Sequence, residues 1–301
     1  MMQTSPVPLN SNVVSQAEQV TPLRRDRMIG QILCRSGGLA PPAIERILKH
    51  QREHGGRFGG VAIALGLASE EDVLEALAEQ FGYPYVRSFG DSALDAELVC
   101  ACDPLGEDAQ SFRELRTELL TGVLDGSTRR AIAVVSPERG DGRSYVAANL
   151  AVAFAQLGGR TLLVDADMRT PRQHALFGID DSVGLSNLLC GRAGPEAIQQ
   201  PSPVCGLSLI GAGTIPPNPS ELLHRRAFAA LMEEWLAKFD HVVLDTPAAN
   251  HGTEARILAT VARAALVVAR RHTARMAGLQ RLVTSIEKGP AALAGVVMND
   301  H

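Results

Sequence analysis

Residues 134–145 read VVSPERGDGRSY, from Val134 to Tyr145. An apolar pair runs into a loop holding Gly140 and Gly142. The residues that follow put Val146, Leu150, Phe154 and Leu157 on one helical face, with Gly158 as the stop. A glycine loop between strand and helix leaves backbone N–H groups and a helix N-terminus available to an anion. A bound phosphate needs glycine for close backbone approach, a cation to balance its charge, and a hydroxyl to hold Mg²⁺. Gly140 and Gly142, Arg143 and Ser144 offer these parts, with Asp141 and Tyr145 completing the candidate loop. Phosphate loops of this kind carry lysine where this chain has Arg143. A glycine pair alone more often marks a tight turn that binds nothing, so the rest of the sheet decides.

Short apolar runs recur outward from this stretch: AIAVV at 131–135, TLLVD at 161–165, LSLIG at 207–211, HVVLD at 241–245, ALVVA at 265–269 and LAGVVM at 293–298. Helical lengths separate them, the signature of an α/β fold in which a parallel sheet is covered on both faces by helices. Ligands in such sheets bind at the carboxyl ends of the strands. The second run ends in VDADMR, placing Asp165 and Asp167 at that rim, and the fourth ends in LDTP, placing Asp245 there. One acid at a strand end is usually a turn residue. Three acids around one phosphate loop point to Mg²⁺, without which close carboxylates repel each other. A dinucleotide fingerprint fails at its third glycine, where Tyr145 stands, and leaves Ser144 and Asp245 unused.

Before the sheet, GQILCRSGGLAPPAIERILKHQ (30–51) and GGVAIALGLASEEDVLEALAEQ (59–80) are two copies of one unit at a constant 29-residue offset. Gly30 and Gly59, Gly37 and Gly66, and Leu48 and Leu77 correspond. So short a repeat predicts two helix-turn-helix units sharing an apolar face, with a capping box at Ser69–Asp72 and Val73, Leu74, Leu77 and Ala78 turned inward. The expected organisation is a flexible tail over 1–26, a small helical repeat module over 27–86, a linker over 87–106 and the α/β domain over 107–301. Asn218-Pro219-Ser220-Glu221 has the chemistry of a helix start. His50 to His54 fits the H-x-x-E-H metalloprotease pattern, but glycines end that helix at once.

A net charge of −4 offers no basic field for nucleic acid. Five cysteines without a CxxC pair suit reduced thiols. No apolar run reaches the roughly 18 residues of a membrane span, so a cytoplasmic protein that meets membranes through a partner is expected.

Taken together, SPERGDGRS, TLLVDADMRTPRQHALFG, GLSNLL, GAGTIPPNPSELL and HVVLDTPA resemble the bacterial tyrosine kinases (BY-kinases), from about Gln110 to the last residue. That resemblance implies a P-loop NTPase-type parallel sheet with helices on both faces, a fold the ParA and MinD ATPases share, but their signature lysine would fall at Glu138. Within the family the chain looks most like the EpsG-like branch of exopolysaccharide chain-length-determinant kinases. That resemblance implies arginine in the phosphate loop and an N-terminal domain similar to that of type II secretion ATPases. Relatives of that domain bind cyclic di-GMP through paired arginine-glycine motifs, of which Arg57 and Gly59 would be the surviving half.

The resemblance further implies that Gly140 to Ser144 cradle ATP phosphates, that Ser144, Asp165 and Asp245 hold Mg²⁺, and that Asp167 accepts the tyrosine proton. It implies a homo-oligomer packed through Arg113 and Arg116, with Gln110 where the family has glutamate. A membrane-embedded chain-length determinant protein would be the activator, and a tyrosine-bearing protein the substrate. Tyr83, Tyr85 and Tyr145 are the chain's three tyrosines. The competing reading is a nucleotide-gated assembly switch, in which ATP drives docking without transfer.

Overall fold

The structure is a computed structural model that describes residues 22–81, 94–201 and 204–300. Most of the expected tail, and both Tyr83 and Tyr85, lie outside these residues. The chain divides into two units, 1–82 and 83–301.

The first unit contains α1 (Pro22–Arg35), α2 (Pro41–His54), α3 (Phe58–Ala64) and α4 (Glu70–Phe81). Helix α1 starts at Pro22, so it takes in residues 22–26, which the sequence reading gave to the tail. The repeat is visible in the backbone: Gly37 and Gly66 follow α1 and α3 with φ of +83° and +64°, a left-handed conformation that glycine enters without a Cβ clash. Ser69 and Asp72 form the predicted box, each backbone N–H donating to the other's side chain at 3.1 Å. Leu33, Ile47, Phe58, Ala62, Val73 and Ala76 make the shared core. A Cβ on Gly59 would lie 2.5 Å from Val73 Cγ1, so α3 and α4 pack through that glycine. Gly59→Ala is therefore expected to destabilise this unit by about 1–3 kcal/mol through overpacking. Amide hydrogen exchange over α3 and α4 would read this as lost protection, and unchanged protection would contradict it.

The second unit runs α5 (Val99–Cys102), α6 (Glu107–Thr121), β1 (Ile132–Val135), α7 (Arg143–Ala155), β2 (Thr161–Asp165), α8 (Gln173–Phe177), α9 (Leu185–Leu189), β3 (Leu207–Ile210), α10 (Pro219–Leu223), α11 (Arg226–Lys238), β4 (His241–Asp245), α12 (Glu254–Ala262), β5 (Ala264–Arg270), α13 (Met276–Glu287) and β6 (Ala292–Asn299). The six strands form one sheet in the order β3-β2-β4-β1-β5-β6, every pairing parallel. Alternate strand residues feed two cores. Ile132 and Val134 face the side covered by α5, α6 and α7, whereas Ala133 and Val135 face the side of α9 to α13.

Two expectations change here. Residues 94–106, read as linker, belong to the folded domain. Leu94, Leu98 and Cys100 are core residues, and the buried Asn149 of α7 accepts from the Cys100 N–H at 3.0 Å and donates to the Glu97 carbonyl at 2.8 Å. Helix α5 spans four residues, too few to display a period. Helix α7 is also buried on all sides from Val146 to Ala155 rather than along one stripe, because α5 and α6 cover its outer face; an all-round apolar helix is an interior one. Leu157, expected to point inward, lies just beyond that helix and is half-exposed. Pro219 opens α10 as predicted, but Asn218 makes no cap bond and its amide instead donates to Glu221.

Candidate nucleotide site

Strand β1 lies between β4 and β5, so the chain crosses over it and leaves a crevice beyond its carboxyl end, the place where parallel sheets bind ligands. The loop from Ser136 to Gly142 fills that position. Gly140 and Gly142 have φ of +86° and +95°, and a Cβ on Gly142 would come within 2.0 Å of Asn299 Nδ2. Side chains brace the loop from three directions. Asp141 accepts from the Glu138 N–H at 2.9 Å, Asn299 Nδ2 donates to the Asp141 carbonyl at 3.1 Å, and Arg270 donates to the Gly140 carbonyl at 3.3 Å. A cleft of about 720 Å³ opens over the loop, lined by Gly140, Gly142, Arg143, Ser144, Tyr145 and Asp167 among others.

Arg143 is 6% exposed although it faces this cleft. Its Nε donates to the Thr246 carbonyl at 2.8 Å. One terminal nitrogen donates to Ser136 Oγ and, at 2.8 Å, to the Glu138 carbonyl, while the other lies 3.8 Å from Asp167 Oδ2. The guanidinium thus ties together the ends of β1 and β4 and the loop, and faces the turn after β2. A lysine ammonium is a single nitrogen and cannot span those positions.

The three acids occupy different stations. Asp167 lines the cleft. Its carboxylate accepts from the N–H groups of Arg169 and Thr170 at 3.1 and 3.0 Å and from the Thr170 hydroxyl at 3.0 Å. Asp165 and Asp245 sit opposite each other on β2 and β4, fully buried beneath the loop. Both oxygens of Asp165 are engaged, one by the Asp167 N–H at 3.1 Å, the other by the N–H groups of Arg172 and Gln173 at 2.9 Å. Burial, with the Asp245 charge behind it, pushes the Asp165 carboxyl well above the usual carboxylate range. Asp245 is raised to about 6, chiefly by burial, against the opposing influence of Arg143, of the Gln173 hydrogen bond and of the nearby Ser144 hydroxyl.

The expected trio of acids around one metal is therefore revised. Among the described residues no group of three or more His, Cys, Asp or Glu converges on a metal position. Asp165 spends its acceptors on the turn that follows β2, and Asp167 faces Arg143. Asp245 alone keeps a buried oxygen, Oδ1, with no hydrogen-bond partner among the described residues, next to the Ser144 hydroxyl. One orphan carboxylate oxygen and one hydroxyl beneath a phosphate cradle fit Mg²⁺, which takes one or two protein oxygens and completes its shell with water and phosphate.

A pH dependence follows from Asp245. Its folded pKa lies above the ordinary 3.8, so the stability it contributes is complete below that value and is lost as pH rises through about 6. A cation bound beside the carboxylate would offset the loss. Mg·ADP is expected to raise the Tm more at about pH 7.5 than at about pH 5; equal shifts at both would contradict the assignment.

Of the remaining candidates, Tyr145 borders the cleft and the others lie outside its lining. Tyr145 packs edge-on to Phe112 at 5.6 Å, and burial pushes its phenol up to about 12. Arg113 binds Gln110 and the Pro104 carbonyl, while Arg116 donates to the Ala153 carbonyl of α7 at 2.6 Å. Arg57 is exposed at the start of α3, and the glycine at 59 is accounted for by its contact with Val73. Sequence reasoning missed Ser136 and Thr246, which receive Arg143, and Asn299 and Gln173. Ser136, Thr246 and Asn299 carried a positional signal, each standing at the carboxyl end of a strand, whereas Gln173 carried none.

Phosphate loop, buried helix and acid strand ends on a parallel sheet define a P-loop nucleotide-binding domain. A ParA family model, described as NUBPL iron-transfer P-loop NTPase, matches residues 127–301. Tyrosine-protein kinase YwqD of Bacillus subtilis strain 168 is 31% identical over 214 residues, covering 71% of this chain and 90% of that protein. Tyrosine-protein kinase ptk of Acinetobacter johnsonii is 34% identical over 191 residues, 64% of this chain but 26% of its own length. The solved chimerical protein CapA2B2 superposes with a TM-score of 0.64 at 33% identity, covering 75% of this chain and 97% of that one. The chain belongs to the bacterial tyrosine-protein kinases, built on the ParA-type P-loop frame. It spans most of the shorter relative and about a quarter of the longer one.

Proposed function

We propose that this protein transfers the γ-phosphate of Mg·ATP to protein tyrosine, and that it does so in the control of exopolysaccharide chain length. The observation that carries the reading is one cleft lined by the phosphate cradle, Ser144 and Asp167, with the orphan Asp245 oxygen buried beneath its loop. The N–H groups of the loop cradle the phosphates. Ser144 and Asp245 would hold the cation, with Asp165 shaping the turn beneath it through the Asp167, Arg172 and Gln173 N–H groups. Mg²⁺ supplies neutralisation of the charge developing on the phosphate oxygens. Asp167 receives the proton as the tyrosine oxygen bonds to phosphorus and the bridging P–O bond to ADP breaks. Arg143 keeps the loop in shape and presents its remaining positive edge to the cleft, so electrostatic positioning does most of the work.

The family resemblance supports a homo-oligomer acting at the cytoplasmic side of the inner membrane, activated by a membrane-embedded chain-length determinant. Among the described residues no helix is long and apolar enough to cross a membrane. The acceptor is then Tyr83 or Tyr85, or a tyrosine on a neighbouring protein. Arg113 and Arg116, whose guanidiniums bond mainly within their own domain, would shape the packing surface. Cyclic di-GMP at the N-terminal unit rests on Arg57.

The second reading, a nucleotide-gated switch without transfer, is favoured by one observation, the engagement of Arg143 with loop and strand carbonyls. Incubation with γ-labelled ATP and Mg²⁺, with and without the cytosolic segment of a chain-length determinant, separates the two. Label on tyrosine, increased by the segment, is the kinase result. Nucleotide binding and segment binding without label would replace it with the switch.

A further inference from the structure

Gln173 opens α8 and is completely buried under the nucleotide cleft, yet no step of the proposed reaction uses it. Its backbone N–H donates to Asp165 Oδ2 at 2.9 Å. Its side-chain Nε2 donates to Asp245 Oδ2 at 2.7 Å and to the Ser144 carbonyl at 3.1 Å, while Oε1 is buried without a hydrogen-bond partner among the described residues. One residue therefore touches both buried acids and the first turn of the helix that carries the phosphate loop. Packing alone does not call for an amide there, since leaving a buried amide oxygen unpaired is unfavourable.

We propose that Gln173 is the positioning residue of the cation site: it holds one oxygen of Asp245 so that the other is left for the cation beside Ser144. This rests on the nucleotide-binding reading of the same cleft. The chemistry favours an amide over the alternatives. Lysine or arginine would satisfy Asp245 with a full positive charge and compete with the cation for it. Glutamate would bring a third buried carboxylate. An amide N–H fixes the carboxylate while leaving its negative charge to the metal, as partners beyond the ligands themselves do in metal sites generally. The second bond, to the Ser144 carbonyl, fixes the backbone of the residue whose hydroxyl lies beside Asp245, so a single side chain sets both ligands.

The test uses the full chain, with Gln173→Met to remove the amide at similar volume and Gln173→Glu to keep its shape. Manganese(II) is the spectroscopic probe, followed by the electron paramagnetic resonance of the free ion in the presence of ADP. ADP affinity in excess chelator is measured alongside, and circular dichroism melting verifies folding. Both variants are expected to weaken ADP-dependent manganese binding by about 10–100-fold, with cation-free ADP affinity retained. Should Gln173→Met not fold, Gln173→Glu carries the same expectation. Manganese binding unchanged from the parent chain would overturn the inference, as would parallel losses with and without the cation, which mark a structural role. A parent chain whose ADP affinity ignores the cation would instead overturn the underlying site reading, and the inference with it.

Discussion

Asp167→Asn is expected to lower phosphate transfer to tyrosine by about 10²–10⁴-fold, the range spanned by loss of a general base, while nucleotide binding survives. Asparagine has nearly the same volume, and its oxygen can still accept from the N–H groups of Arg169 and Thr170 that hold Asp167 in place. What disappears is the negative charge that faces Arg143 across 3.8 Å and the only carboxylate of the three acids that reaches the cleft lining. Asp165 and Asp245 cannot substitute, being fully buried beneath the loop. Single-turnover transfer to a tyrosine peptide, with fluorescent-nucleotide binding on the same samples, gives both numbers. Transfer at the parental rate would remove Asp167 from the reaction.

Arg143→Ala is expected to be the most damaging change in the loop itself. The guanidinium is buried, and deleting it strands the Thr246 carbonyl, leaves the Glu138 carbonyl with the Ser136 hydroxyl as its remaining donor, and leaves Asp167 without its facing charge. Breaking such a buried charged network lowers stability by about 3–5 kcal/mol, and the loop that depends on it should no longer hold nucleotide. Arg143→Lys separates charge from shape. One ammonium can satisfy part of this set but not all of it, so we expect a loss of about 1–3 kcal/mol for the acceptor left unpaired and no gain in transfer. Denaturant unfolding and transfer assays read the two effects. A strong rise in transfer at unchanged ATP affinity would show that arginine impairs the loop rather than fitting it.

The contrast between these residues and Gln173 shows what the sequence could reveal. Gly140, Gly142, Arg143 and Ser144 fall within five residues, and Asp165 and Asp245 close apolar strands with Asp167 two residues beyond one of them, so local pattern and the carboxyl-end rule find them together. Gln173 reaches Asp245 across 72 residues and Asn299 reaches Asp141 across 158. Neither sits in a periodic pattern, and partnerships of that kind become visible only when the sheet is assembled. The same limit hid the division of labour among the acids. Sequence spacing brought Asp165 and Asp167 to one rim, but the strand end turns Asp165 inward, where it organises the next turn through backbone N–H groups. Residues 94–106 were misread for a related reason: Leu94 and Leu98 are core residues in a stretch too short and irregular for periodicity to register.

The central claim is that a phosphate loop built around arginine still drives transfer to tyrosine. Phosphosite mass spectrometry after incubation with Mg·ATP, on the parent chain and on Asp167→Asn, tests it most directly. The account predicts phosphotyrosine, on Tyr83, Tyr85 or an added partner protein, that is lost in the Asp167 variant. Nucleotide bound at the loop with no phosphotyrosine in either sample would contradict it and leave the protein a nucleotide-gated switch.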